Sequence, residues 1–458
     1  MKNDDFQAAS FRDPAGFLFT RDSVLYRQVN RSYREHYDLF SASGLYARLV
    51  GEDLLVPHVE APLELAQTDE VYRVIRPERV PFIAYPYEWS FSQLKDAALT
   101  TLKIQKTALE HRMILKDASA YNIQFHHGRP RLIDTLSFEK YVEGEPWIAY
   151  RQFCQHFLAP LALMSLVDIR LGLMLRIHLD GLPLDLTSRL LPWRTRLRFC
   201  LLTHIHLHAK SQKRYENRPL AVARRKMSLQ ALRGLVDNLE TCVKKLRWKA
   251  ELTEWADYYD TTNYSPAAFE HKTKLIENFL EQLKPAGVWD MGANTGRFSR
   301  LASARGIPTV SFDIDPAAVE KNYLRVKSER EPNLLPLLCD LTNPSPAIGW
   351  ENRERMALGE RGPAHTVMAL ALVHHLAISN NLPFDRIARY FTGLGDNLII
   401  EFVPKSDSQV QRLLASRRDI FDCYNREEFE KTFKRYYQIE RAEPVRESER
   451  ILYLLHKR

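Results

Sequence analysis

The chain has 458 residues, 45% apolar and 27% charged, with 17 glycines and a formal net charge of +8. At roughly 100–200 residues per domain this implies two to four globular domains, and it excludes wholesale disorder and collagen-like or glycine-linker architectures. The most apolar stretch, FLAPLALMSLVDIRLGLMLRIHL, is interrupted by Asp168, Arg170 and Arg176, so it reads as a core helix pair and not as a transmembrane segment.

The opening residues MKNDDFQAASFRDPAGFLFT carry no apolar signal core, so a cytoplasmic location is expected. Cys154, Cys200, Cys242, Cys339 and Cys423 are scattered and form no CxxC pair. Reduced thiols are therefore expected, with no disulfide framework and no zinc ribbon.

Taken in chain order, FLFTRDSVLYRQVN (17–30) predicts a hairpin around Arg21-Asp22, and short strands follow around LLVPHVE and VYRVI. FIAYPYEW (82–89) predicts a further strand, and SQLKDAALTTLKIQKTALEHR a long helix. In LKDASAYNIQFHHGRPRLIDTLSF (115–138), Asn122 lies five residues after Asp117 and Asp134 twelve after Asn122.

Residues 181–250 hold 16 Lys and Arg against 4 Asp and Glu, a net +12, while the rest of the chain is net −4. Such a segment is either a solvated connector or a surface for nucleic acid or another anionic partner. Within it, THIHLHAK places His204, His206 and His208; on a helix only His204 and His208 align, and no nearby acid or cysteine completes a metal set, so no metal is assigned. Leu229, Leu232, Val236, Leu239, Val243, Leu246 and Ala250 recur at intervals of three and four. That stripe lies either against the helix's own domain or along a dimer seam over 229–250.

From residue 266 helices and strands alternate, the pattern of a parallel sheet. PAAFEHKTKLIENFLEQL is a helix, GVWDMG a strand, TVSFDID a strand and PAAVEKNYLRVKSE a helix; LLPLLCD, TVMALALV and DNLIIEFV are further strands. The tail YYQIERAEPVRESERILYLLHKR has no room for a crossover helix, so its last strand runs antiparallel. Asp290-Met291-Gly292-Ala293-Asn294-Thr295-Gly296 is a glycine turn between strand and helix, with Asn294 at a position that favours a left-handed residue. Asp313, 21 residues after Gly292, is placed to accept the hydroxyls of a ribose. Asp290 suits a ligand bearing an ammonium group better than a pyrophosphate, as S-adenosylmethionine (SAM) does.

With these motifs, residues 256–458 resemble a class I SAM-dependent methyltransferase. DMGANTG is similar to that fold's first motif, SFDIDP to its second and CDL to its adenine-contacting strand end. NPSPAIGW, LALVHHLAISNNLP and IIEFVPKSD resemble a bacterial methyltransferase family, some members of which carry names linked to nodulation or ribosomal-protein methylation. The resemblance implies that Asp290, Gly292 and Gly296 hold the methionine end, Asp313 the ribose, and Asp340 with the Leu341 backbone the adenine, with Asn294 also in the cofactor site. It implies methyl transfer to an unidentified acceptor: small molecule, glycan or protein. The absence of an Asn/Asp-Pro-Pro-Tyr stretch after the fourth strand argues against an exocyclic amine or a glutamine amide. His374 and His375 follow that strand, and His374 is expected to face the acceptor as a base. Glu401 and Lys405 either line the acceptor cleft or belong to a rigid loop.

Asp117, Asn122 and Asp134 are similar to the catalytic and metal-binding loops of protein-kinase-like phosphotransferases, especially the aminoglycoside-kinase branch. In that chemistry the first Asp orients a hydroxyl, and the Asn and second Asp hold magnesium on ATP. FIAYPYEW would then be the inter-lobe hinge. The sequence departs from this pattern: Gly16 is the lone glycine before residue 44, the nearest cation is Arg27 with Glu35 as its candidate partner, and Thr-Leu follows Asp134.

The expected fold is α/β. A kinase-like α+β domain over 1–195 is followed by a basic helical linker over 196–255. Residues 256–458 then form a Rossmann-like seven-stranded methyltransferase sheet with an antiparallel last strand. The expected function is SAM-dependent methyl transfer; a kinase–methyltransferase, a nucleotide-sensing pseudokinase–methyltransferase and a polyanion-binding adaptor are the alternatives.

Overall fold

The turn Asp22-Ser23, with both residues left-handed (φ 52° and 63°), closes the first hairpin where the Arg21-Asp22 pair predicts it. The computed structural model describes residues 5–210, 226–249, 264–415 and 418–458. The chain divides into two units, residues 1–249 with 348–355, and residues 250–347 with 356–458.

In the first unit, β1 (Asp5–Phe6), β2 (Gly16–Arg21), β3 (Val24–Asn30), β4 (His58–Ala61) and β5 (Val71–Pro77) form an antiparallel sheet in the order β1-β2-β3-β5-β4. Helices α1 (Arg34–Ala42) and α2 (Leu45–Gly51) fill the connection between β3 and β4. The long helix α3 (Phe91–Glu110) starts at a capping box: the Ser90 hydroxyl accepts from the Gln93 amide, and the Gln93 side chain accepts from the Ser90 amide. Two small hairpin-like sheets follow, β6 (Met113–Leu115) with β9 (Phe138–Lys140), and β7 (Ile123–His126) with β8 (Arg129–Leu132).

Residues 82–89 are not a strand. Pro86–Glu88 is a 3-10 turn, and Ala84 bonds through both its N–H and C=O to the Gln124 side chain instead of to a ladder. Pro81 and Pro86 remove the donors that a strand would need there. The apolar stretch after residue 157 also departs from a simple helix pair. Ala159–Leu166 is α-helical, but Ile169–Arg176 is a 3-10 stretch capped by the Asp168 side chain.

The segment read as a basic linker includes a helix, Leu229–Lys245, that packs on α3 within the first unit. Its stripe Leu232, Val236, Leu239 and Val243 is buried there, so the stripe is not a seam exposed to a second copy. Lys106 of α3 bridges Asp237 and Glu240 on that helix, both at 2.5 Å. Residues 211–225 and 250–263, including Ala250, lie outside the described residues. Cys200 and Cys242, 42 residues apart, form a disulfide with Cα atoms 5.9 Å apart, which overturns the expectation of thiols reduced throughout. Helix packing brings the two together, and linear spacing does not encode that. His204–His208 are helical as expected. Their partners are protein groups: Tyr150 and Asn238 for His204, Ser188 and Thr195 for His206, and the Tyr150 ring stacked on His208.

In the second unit β10 (Val288–Met291), β11 (Thr309–Asp313), β12 (Leu334–Leu338), β13 (Ala364–Ala369), β14 (Gly395–Phe402), β15 (Tyr437–Pro444) and β16 (Ile451–Lys457) form one sheet in the order β12-β11-β10-β13-β14-β16-β15. The first five strands pair in parallel, and β16 runs antiparallel to both neighbours. The helix Pro266–Leu283 packs its Ile276, Phe279 and Leu280 on Val288, Met368, Ile399 and Leu454 of the sheet. Each fully buried aliphatic of this kind contributes roughly 1.5–3 kcal/mol. The run TVMALALV leaves the sheet after Ala369 and not at Val373, and Ala371 takes a left-handed conformation (φ 48°).

Candidate functional site

Parallel strands present their carboxyl ends on one edge, and loops leaving that edge can converge on a ligand. Here β10, β11, β12 and β13 deliver Asp290, Asp313, Asp340 and Leu370 to a single cavity of about 300 Å³. Gly292, Asn294, Leu341 and His375 also line it, as do Tyr264, Lys272 and Ile314. Of the residues predicted to hold SAM the cavity gathers all but Gly296, and of the two candidate bases it includes His375 and not His374.

The turn after β10 is built for close approach. Gly292 and Gly296 have φ of 76° and 73°, and Asn294 is left-handed at 51°. The amides of Gly292 and Ala293 both donate to the Phe312 carbonyl at 2.9 Å, fixing the turn to β11. A Cβ at Gly296 would stand 2.5 Å from the Asn322 side chain, so this glycine serves packing.

Asp313 is half-buried; its Oδ2 accepts from the Asn294 amide at 2.7 Å and its Oδ1 from the Asp315 amide at 2.9 Å. Burial nevertheless pushes its pKa up to about 6. Asp290 is 2% exposed, and its Oδ2 accepts from the Ser299 hydroxyl at 2.6 Å. Its Oδ1 accepts from no other group among the described residues. Burial raises the Asp290 pKa to about 7, with the charge of Asp313 adding to the effect. Asp340 Oδ1 accepts from the Thr342 amide and hydroxyl at 2.8 and 2.6 Å. Lys272 lowers the Asp290 pKa only in part, and its Nζ is bonded to Glu401. A buried carboxylate with no direct ion pair, a second carboxylate one strand away and apolar Ile314 and Leu341 beyond it suit a ligand with a cationic end, a diol and a flat heterocycle.

Of the two histidines, His375 and not His374 lines the cavity. His374 is 1% exposed, and its Nδ1 has no hydrogen-bond partner among the described residues. The early exit of the chain from β13 rotates the pair relative to the sequence expectation. Burial lowers the His375 pKa to about 4, so its imidazole is neutral at pH 7 but weakly basic.

Glu401 and Lys405 are not among the residues lining the cavity. Lys405 pairs with Asp419 at 2.9 Å. Glu401 is sealed within the unit: its Oε2 accepts from Lys272 Nζ and from the Ala371 amide, both at 2.7 Å, and its Oε1 accepts from the Tyr264 hydroxyl. Arg450 completes the cluster, 3.9 Å from Glu401 and 2.7 Å from Asp407. Burial alone would raise the Glu401 pKa, but Lys272 and Arg450 outweigh it and hold the carboxyl below its ordinary value. Glu401 therefore acts on the cavity indirectly, by holding the left-handed loop at Ala371. Lys272 left a sequence signal, a cation on the apolar stripe of Phe269, Ile276 and Phe279, whereas Arg450 and Ser299 left none.

In the first unit Asp117, Asn122 and Asp134 also come together. The Asn122 side chain bonds to Asp117, its Nδ2 donates to the Ser137 hydroxyl at 3.4 Å, and that hydroxyl donates to Asp134 Oδ2 at 2.5 Å. Burial, with the charge of Asp134, raises the Asp117 pKa. Arg27 from β3 pairs with Asp134 at 2.6 Å and with Asp13 at 3.0 Å. Glu35 is not its partner and pairs with Lys140 at 3.2 Å. Elsewhere in this unit Glu78, His126 and His127 place three metal-capable atoms within 4.8 Å of one another.

No protein-family model matches the chain. Nodulation protein NoeA of Rhizobium meliloti (strain 1021) is 35% identical to it over 98% of this chain and 96% of that protein. Among solved structures, the PH0226 protein of Pyrococcus horikoshii OT3 is 20% identical over 44% of this chain and 99% of its own, with a TM-score of 0.31. The magnesium protoporphyrin IX methyltransferase ChlM of Synechocystis PCC 6803, solved with bound SAH, is 16% identical over 44% of this chain and 93% of its own, with a TM-score of 0.32.

Proposed function

We propose that this chain, which belongs to the family of nodulation protein NoeA, is a SAM-dependent methyltransferase whose donor site is the cavity at the carboxyl ends of β10, β11 and β12. The observation that carries this reading is the convergence of Asp290, Asp313 and Asp340, from successive places in the chain, on that one cavity.

SAM, when bound, supplies a methyl group already activated on a sulfonium. The protein's task is then to bind, orient and exclude water. Asp290 takes the ammonium with its unengaged Oδ1. Asp313, held by two backbone amides, accepts from the ribose hydroxyls, while Asp340 and the Leu341 backbone meet the adenine edge. The glycine at 292 lets the methionine end lie against the turn. His375 orients the acceptor by a hydrogen bond; its weak basicity argues against a large share of proton removal. The acceptor itself, whether small molecule, glycan or protein, is not assigned.

The first unit is read as a kinase-like domain that recruits or shapes the acceptor. Asp134 is the carboxylate that would face magnesium, and Arg27 already neutralises it. The residues present do not fit a resident magnesium–ATP, and no phosphoryl transfer is assigned.

Calorimetric titration of the full-length protein with SAM tests the proposal. Saturable binding is expected; no heat up to millimolar SAM, with the protein folded, overturns it.

A further inference from the structure

The basic middle segment is not absorbed by the methyl-transfer reading. Its stretch LTSRLLPWRTRLRFCLLTHIHLH (186–208) contains no acid, and it holds Arg189, Arg194, Arg196 and Arg198. The centre of this stretch is a 3-10 turn, Trp193–Leu197, followed by the short helix Phe199–Leu201.

The turn is firmly seated from beneath. Leu191 and Thr195 are buried, and the Thr195 hydroxyl bonds to the Pro192 carbonyl at 2.6 Å and to His206 Nε2 at 2.9 Å. Cys200 ties the far end to Cys242. What this seating presents outward is unusual: Trp193, Leu197 and Phe199 are 74%, 76% and 71% exposed. Arg194, Arg196 and Arg198 are exposed between them and make no ion pair among the described residues, whereas Arg189 pairs with Asp185.

Large apolar side chains scattered singly on a surface need no explanation, but three on one anchored turn interleaved with three arginines do. Protein interfaces are also enriched in Trp, Phe and Arg, but their centres are depleted of charge, whereas here every exposed apolar side chain is flanked by an arginine. Nucleic acid would use the arginines and stack on the rings, but it gives Leu197 no role. An anionic bilayer surface uses all six. The apolar tips enter the boundary between headgroups and acyl chains, tryptophan prefers that depth, and the guanidiniums bind lipid phosphate. No helix among the described residues is long and apolar enough to cross a membrane.

We propose that the turn 193–199 docks this protein on an anionic phospholipid surface.

Flotation of the full-length protein with phosphatidylcholine vesicles, with and without phosphatidylglycerol, tests this. The wild type is expected to float with the anionic vesicles and to lose binding as salt rises. Trp193→Ser/Leu197→Ser/Phe199→Ser should reduce flotation about tenfold or more. Arg194→Gln/Arg196→Gln/Arg198→Gln should abolish the preference for phosphatidylglycerol. Both variants are expected to melt at the wild-type temperature and to titrate with SAM as the wild type does. Bromolipid quenching of tryptophan emission should disappear in Trp193→Ser. Failure of the wild type to float, or equal flotation of the triple variants, overturns the proposal. Binding of single-stranded RNA but not of vesicles, lost in the arginine variant, would overturn it in favour of nucleic acid.

Discussion

Two pairs of enclosed acids in this molecule, Asp290 buried and the other three half-buried, met different fates. In the first unit Asp134 sits beside Asp117, and Arg27 reaches in from β3 to neutralise it. In the second unit Asp290 sits near Asp313, but its hydrogen-bond partner is the neutral Ser299, and burial leaves its pKa at about 7. A carboxylate already matched by a guanidinium gains little from a cationic ligand. One bonded to a hydroxyl, with the nearby Lys272 ammonium already bonded to Glu401, gains more. Convergent acids alone do not mark a working site; a countercharge bonded directly to the acid, as Arg27 is to Asp134, separates a self-satisfied cluster from one that still offers an acid to a ligand.

A third carboxylate sets the upper end of the scale. Glu401→Ala strands Lys272 and Arg450 without their shared anion, and it should cost about 3–5 kcal/mol in chemical denaturation, the range for a broken buried pair. Arg27→Ala should cost somewhat less, about 2–3 kcal/mol, because Asp134 retains the Ser137 hydroxyl. If this variant acquires magnesium-dependent ATP binding that the wild type lacks, Arg27 is the element that silences the first site. An unchanged melting curve would show that the pair contributes nothing.

Asp313→Ala should weaken SAM at least tenfold by calorimetry, about 1.4 kcal/mol. SAM affinity should rise roughly tenfold between pH 6 and pH 8 as Asp290 ionises around pH 7, and Asp290→Asn should flatten that dependence. The sign reverses for stability of the free protein. Both carboxyls keep their protons to higher pH in the native state than in the unfolded chain. Their contribution is therefore fully present below about pH 4 and falls as pH rises to about 7. The smallest effect is expected at His375: His375→Ala should lower turnover by less than about tenfold with unchanged SAM affinity, since a base with a pKa of about 4 transfers protons poorly near neutrality.

Periodicity and turn chemistry carried most of the second unit into view. Alternating helices and strands, the glycine turn with Asn294, the acid at 313 and the final hairpin all depend on local rules. Features set by long-range packing were hidden. The pairing of Cys200 with Cys242 depends on which helices meet, and the Arg27–Asp134 contact depends on how a sheet faces a loop more than a hundred residues away. The choice between His374 and His375 turned on where β13 ends. An apolar run continues past Ala369, so composition placed the exit too late, and the left-handed Ala371 decided which ring faces inward. FIAYPYEW failed for the opposite reason: its residue types favour strand, but Gln124 supplied the hydrogen bonds that a neighbouring strand would have provided.

The way Glu401 distributes its bonds bears on how this sequence can drift. One carboxylate simultaneously serves Tyr264, Lys272, the Ala371 backbone and, more loosely, Arg450, positions scattered across most of the unit's length. Replacing Glu401, Lys272 or Arg450 alone leaves charge stranded away from water, so single steps there are selected against while joint replacements remain open. Substitution at these sites is therefore expected to be strongly epistatic. A homologue that has lost the acid should also have lost both cations, and in an engineered variant they should be exchanged together.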